Sequence, residues 1–71
     1  MRLSIRNQLS GEIVAVNLGA VMATIQVRLD NGGPVITASI TKEAAEELSL
    51  SVDQQATVLI KSTDVAVGVQ S

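Results

Sequence analysis

From Val21 to Leu29 the chain alternates: Val21, Ala23, Ile25, Val27 and Leu29 are apolar, and Thr24, Gln26 and Arg28 stand between them. A period of two puts every second side chain on one face of an extended segment, so this stretch reads as a β-strand with one face buried. Met22 is the exception, an apolar residue on the polar face. The run stops at Asp30-Asn31-Gly32-Gly33-Pro34, where Asn and Gly accept positive φ and Pro ends the pairing, which predicts a tight connection. From Val35 to Ile40 the alternation resumes, with Ile36, Ala38 and Ile40 opposed to Val35, Thr37 and Ser39. Upstream, Ile13-Val14-Ala15-Val16 runs into the turn signal Asn17-Leu18-Gly19. A strand from about Leu3 to Val16 is therefore expected to hairpin onto the segment from Val21 to Leu29, with Gly11 marking a bend or bulge.

One stretch changes period. Thr41-Lys42-Glu43-Ala44-Ala45-Glu46-Glu47-Leu48 has a capping hydroxyl, an acidic first turn and good helix formers, which predicts a helix of about two turns. Two short strands, Ala56 to Lys61 and Val65 to Val69, follow and are joined at Ser62-Thr63-Asp64. Three strands, a short helix and two strands make an all-β chain with one short helix, in the order of a five-stranded OB-type Greek-key barrel. A five-stranded meander with the helix plugging one end is the alternative. No linker, charge block, low-complexity stretch or repeat divides the sequence, so residues 1–71 read as a single domain.

Composition then limits what such a fold does. The chain has 71 residues, 46% of them hydrophobic, with no aromatic residue, no histidine and no cysteine. A domain this short hides only about 60% of its unfolded surface, and a core of Val, Ile, Leu, Ala and Met alone is thin. Disulfides and zinc-type ligation being excluded by composition, oligomerisation is the remaining reinforcement. Open strand edges call for the same remedy. Without Cys or His there is no thiol nucleophile, Ser-His pair or imidazole base, and an enzyme is not expected. A net charge of −2 and the lack of stacking platforms argue against nucleic acid. No apolar run approaches the roughly 20 residues of a membrane span, and MRLSIRNQLS lacks the apolar stretch of a signal peptide, so the expectation is a cytoplasmic protein without membrane contact.

Only five residues are cationic, and two of them stand in polar clusters. In Ser4-Ile5-Arg6-Asn7-Gln8, alternation puts Ser4, Arg6 and Gln8 on one face. Lys61-Ser62-Thr63-Asp64 packs an ammonium, two hydroxyls and backbone N–H groups into a turn. A planar fork of donors, a compact charge and several hydroxyls are together suited to an oxyanion. By composition alone, solvated strand-end cations and ordinary turn chemistry account for the same residues. The Glu43, Glu46 and Glu47 carboxylates read as a solvated helix side, since adjacent Glu46 and Glu47 point apart and make a poor metal site.

The segments Ser4-Ile5-Arg6-Asn7-Gln8-Leu9-Ser10-Gly11, Ala38-Ser39-Ile40-Thr41, Glu46-Glu47-Leu48 and Ile60-Lys61-Ser62-Thr63-Asp64-Val65 resemble the molbindins, small cytoplasmic molybdate-binding proteins also called molybdenum-pterin-binding proteins. The likeness covers nearly the whole chain. It implies an OB-type fold, a hexamer built as a trimer of dimers, and molybdate or tungstate held between subunits for storage and homeostasis. Carried over by motif, Ser4 and Arg6 supply donors together with the backbone around Ile5 and Asn7. Lys61 and Ser62 come from the second motif, and Thr41 matches the hydroxyl at the start of the family's helix. Family members commonly carry Gly where this chain has Ser49 and Asp53, which puts the local turn geometry in question rather than the anion motifs.

The resemblance meets one physical obstacle. Six chains of charge −2 repel a dianion, so binding has to be local, through directed donors that outweigh a salt-screened net charge. A cage made only of donors would disfavour protonated phosphate, which needs an acceptor; sulfate would have to be rejected by size. No organic cofactor is expected, since no aromatic residue is available to stack on a pterin. A structural or accessory oligomerisation domain, with Arg6 and Lys61 as interface ion-pair partners, is the alternative from a different class.

Overall fold

A computed structural model describes residues 2–70, so the first and last residues of the expected domain lie outside it. Four strands form one antiparallel sheet: β1 (Asn7–Leu18), β2 (Met22–Leu29), β3 (Val35–Thr41) and β4 (Gln55–Ile60), in the order β3-β2-β1-β4. A single short helix, α1 (Lys42–Glu47), lies between β3 and β4. The alternating residues of β2 point inward as their period requires: Ala23, Ile25 and Val27 are buried. Ile13 from β1 and Ala45 from α1 complete the fully buried core, and Val16, Ala38, Ile40, Leu50, Ala56 and Val58 pack around it. Met22 is half exposed on the outer side, as the broken pattern predicts.

The connections obey their local chemistry. Between β2 and β3 the Gly33 N–H donates to the carbonyl of Asp30 at 3.3 Å, closing a turn whose central residues have positive φ, Asn31 at 62° and Gly32 at 73°. Both signs match the mirror-image turn that suits the twist of a hairpin. Thr41 caps α1, its Oγ1 accepting from the Ala44 N–H at 3.1 Å. At the other end the Leu50 N–H reaches the Ala45 carbonyl at 3.1 Å around Ser49, whose φ is 52°. Asp53 has φ 75°. These are the two positions where molbindins commonly carry Gly, and the left-handed backbone that Gly serves is kept here by Ser and Asp.

Three expectations are corrected. Gly11 is not the bulge, because the β1/β2 register shifts between Ile13 and Ala15. A Cβ on Gly11 would stand 2.5 Å from the Arg28 carbonyl oxygen and 2.7 Å from Val27 Cγ1, so glycine is there for close approach of the strands. The first strand begins at Asn7 rather than about Leu3 and continues to Leu18, since β4 offers ladder partners only from Asn7 to Glu12. The fifth strand is the largest departure. Residues 65–70 form no strand with the rest of the chain, and Val67 and Val69 are 89% and 86% exposed. Alternation reports a face that favours burial; it does not supply the neighbouring edge whose N–H and C=O groups a strand needs. In a single chain the sheet is four-stranded, with β3 and β4 as its edges, and no five-stranded barrel closes among the described residues.

Candidate functional site

The pairing of β1 with β4 places the start of one strand beside the end of the other, Asn7 opposite Ile60. Continuing outward from that pair, Ser4-Ile5-Arg6 and Lys61-Ser62-Thr63 have to emerge side by side. Asn7 fastens the exit, its Nδ2 donating to the Ile60 carbonyl at 3.1 Å across 53 residues of sequence. Gln8 shapes the N-terminal arm by donating from Nε2 to the Ile5 carbonyl at 2.9 Å. On the other arm the chain turns through a short 3-10 segment, Ser62–Asp64, where the Asp64 N–H donates to the Lys61 carbonyl at 2.9 Å.

Between the two arms lies a depression of about 170 Å³ lined by Ser4, Ile5, Arg6, Lys61, Ser62 and Thr63. Ile5 is half-buried and the other five are exposed. The lining combines a guanidinium, an ammonium and three hydroxyls and contains no carboxylate. Two cations with no lining anion repel one another, and an oxyanion seated between them would offset that repulsion.

Five of the residues expected from sequence, Ser4, Ile5, Arg6, Lys61 and Ser62, thus line one depression. Asn7, expected to contribute through its backbone, is not part of the lining, and its side chain holds β1 to β4. Thr41 is not part of it either. It ends β3, the edge strand opposite β4, and its hydroxyl caps α1. Thr63, whose hydroxyl the Lys61-Ser62-Thr63-Asp64 cluster already included but the carry-over by motif left out, lines the depression and adds a third hydroxyl. A signal was available: a turn closed from residue 64 back to 61 holds residues 62 and 63 together at its tip. Among the described residues no group of three or more His, Cys, Asp or Glu is placed to hold a metal ion, and no helix is long and apolar enough to cross a membrane.

Comparison with known proteins bears on the fold and the family. The TOBE domain model matches residues 3–67. The probable molybdenum-pterin-binding protein of Haemophilus influenzae is 39% identical over 70 residues, covering 99% of this chain and 100% of that protein. Molybdenum-pterin-binding protein 3 of Clostridium pasteurianum is 39% identical over 67 residues, covering 94% of this chain and 97% of the relative. Among solved structures, MopII from Clostridium pasteurianum superposes with a TM-score of 0.89 at 34% identity, over 96% of this chain and 100% of that one. The cytoplasmic molybdate-binding protein ModG, in a form with molybdate bound, gives a TM-score of 0.91 at 40% identity over 99% of this chain and 49% of its own. The fold, the paired motifs and relatives matched from end to end lead to one assignment: the chain belongs to the molbindin family, the molybdenum-pterin-binding proteins built on a TOBE domain.

Proposed function

We propose that this protein binds molybdate, or the isosteric tungstate, without a catalytic step, and that it serves intracellular storage and homeostasis of the anion. The observation that carries this reading is the meeting of Arg6 and Lys61 in one carboxylate-free depression with the hydroxyls of Ser4, Ser62 and Thr63. Relatives named for molybdenum or molybdate binding supply the identity of the oxyanion. Donors around an open hollow hold an unprotonated dianion well and serve protonated phosphate less well, because a phosphate O–H seeks an acceptor. Calorimetric titration with molybdate, tungstate, sulfate and phosphate tests it. Tight binding of molybdate or tungstate with weak phosphate binding is the expected result, and equal competition by phosphate at neutral pH would refute the donor cage.

We further propose that the working unit is a homo-oligomer, a hexamer arranged as a trimer of dimers, with the anion at subunit interfaces. Three features support association. The fully buried core consists of five residues, two of them alanines. Among the described residues both sheet edges, β3 and β4, are free of a second neighbour in the single chain. The segment from Val65 to Val69 presents exposed valines at alternate positions, and a second copy offers it the strand edge and apolar cover that its own chain does not. Thr41 then contributes to the anion site from a neighbouring subunit. Sedimentation is expected to give a species near six times 7.4 kDa. A well-folded monomer at micromolar concentration would overturn the assembly, and an oligomer that takes up no oxyanion would favour an accessory oligomerisation domain instead.

A further inference from the structure

The turn that joins β2 to β3 has a chemical consequence independent of anion binding. Asn31 is followed by Gly32 at the exposed tip, and both residues have positive φ. Three observations bear on the reactivity of this pair. A Cβ built on Gly32 meets nothing within 4 Å, so the space beside the Gly32 Cα is open to solvent. Among the described residues the Gly32 N–H takes part in no hydrogen bond of the turn; the closing bonds are those of the Gly33 N–H to the Leu29 and Asp30 carbonyls, at 3.2 and 3.3 Å. No hydrogen bond within the described chain holds the Asn31 side-chain amide, whereas Asn7 is fastened to Ile60 and buried in part.

We propose that Asn31-Gly32 is a site of spontaneous succinimide formation, through which Asn31 is converted to aspartate and isoaspartate in the folded protein. The Gly32 main-chain nitrogen, on losing its proton to hydroxide, attacks Asn31 Cγ. The Gly32 N–Asn31 Cγ bond forms, the Asn31 Cγ–Nδ2 bond breaks, and the departing nitrogen takes a proton from water and leaves as ammonia, which returns the hydroxide. Water then opens the five-membered imide at either carbonyl. Attack at Cγ restores the ordinary backbone with aspartate; attack at the main-chain carbon leaves isoaspartate, whose backbone runs through the side-chain carbon. No oxidation occurs, and the only co-reactant is water.

Glycine is what permits the reaction, since any side chain at residue 32 would crowd the approaching nitrogen. The same glycine is required by the turn, because positive φ at both central positions is the condition for this hairpin. Each conversion adds one negative charge beside Asp30, whose Oδ2 accepts from Gln55 Nε2 at 3.4 Å. The isoaspartate product also lengthens the backbone within the turn that sets the β2/β3 register. Asn31 further borders a second depression, shared with Gln8, Leu9, Ser10 and Asp30, so the new carboxylate would stand at the rim of that hollow and not in the cationic one.

The experiment is incubation of the full chain in mildly alkaline buffer, followed by peptide mapping with mass and isoaspartate detection, beside the same chain held in denaturant. Accumulation at Asn31 of both aspartate and isoaspartate in the folded protein, faster as the pH rises, with Asn7 and Asn17 retaining their amides, is the expected result. An Asn31→Asp variant supplies the chromatographic standard for one product. Asn31 intact in the folded chain while it converts in denaturant would overturn the proposal, because the turn would then protect it. Aspartate without isoaspartate would overturn the imide route, and conversion at Asn7 or Asn17 as fast as at Asn31 would overturn the role given to Gly32.

Discussion

The inner face of β1 and β2 and the rim around Arg6 and Lys61 are built on opposite terms. At the centre, Ile13, Ala23, Ile25 and Val27 are buried to within a few per cent and Gly11 is pressed against the Arg28 backbone. At the rim, Ser4, Arg6, Lys61, Ser62 and Thr63 are exposed, and two like charges face one hollow. Apolar packing makes the centre stable without a ligand. The rim holds cations and donors that folding leaves free, which is what an anion site requires and what a stability core avoids. A small domain separates the two regions by strand position: inward residues in mid-strand carry the fold, and the ends of two paired strands carry the proposed anion site.

Substitutions should divide along the same line. The largest effect is expected from Ile25→Ala, which removes most of a 3% exposed side chain from a core of five and should cost about 3 kcal/mol in chemical denaturation. A loss below about 1 kcal/mol would mean that the centre is not where stability resides. At the rim the sign of the comparison reverses. Arg6→Ala or Lys61→Ala is expected to weaken molybdate binding by about 2 kcal/mol, as for loss of a hydrogen bond to a charged group, while the denaturation midpoint stays within experimental error. On the proposal that both residues act on one anion, the double variant should lose less than the sum of the two single losses. Strict additivity with an unchanged fold would place them in separate sites.

Two smaller effects sharpen the boundary between fold and site. Thr41→Ala should cost about 1 kcal/mol of stability through the lost cap on α1. Its binding isotherm decides the rest: an unchanged affinity confines Thr41 to capping, and a weakened one assigns it to a neighbouring subunit's anion site. Ser49→Gly relieves a left-handed φ of 52° and is expected to stabilise by about 0.5 to 1 kcal/mol, with binding unaffected. A destabilised Ser49→Gly variant would mean that the serine makes a contact worth more than the strain it bears.

The two regions also differ in how far they could be read in advance. Around the centre, β2, β3, α1 and the β2/β3 turn lie within a residue or so of where alternation, capping and turn chemistry predict them, because each depends on neighbours in sequence; the β1/β2 turn falls two residues later than Asn17-Leu18-Gly19, since Asn17 and Leu18 still pair with Thr24 and Ala23. The bulge is displaced from Gly11 to Ile13/Ala15, since a glycine signals freedom or close approach alike and only the packing against Arg28 distinguishes them. At the rim, the motifs around Arg6 and Lys61 were visible as clusters. Their sharing of one hollow rests on the Asn7/Ile60 pairing, a contact across 53 residues that no local pattern encodes.

The sequence by itself determined the local elements: the period-two strands, the Thr41 cap, the Asn31-Gly32 turn, an aromatic-free core and a chain without thiol or imidazole chemistry. Propensity, periodicity and composition are properties of residues and their near neighbours, and they survive without knowledge of the fold. Tertiary structure decided the rest. It set the order β3-β2-β1-β4, brought Thr63 into the cationic hollow, kept Thr41 out of it, and left residues 65–70 without a strand partner. The physical reason is that a strand pairs and a site assembles only when distant segments supply complementary hydrogen-bonding edges and charges, and that supply is a property of the folded sheet.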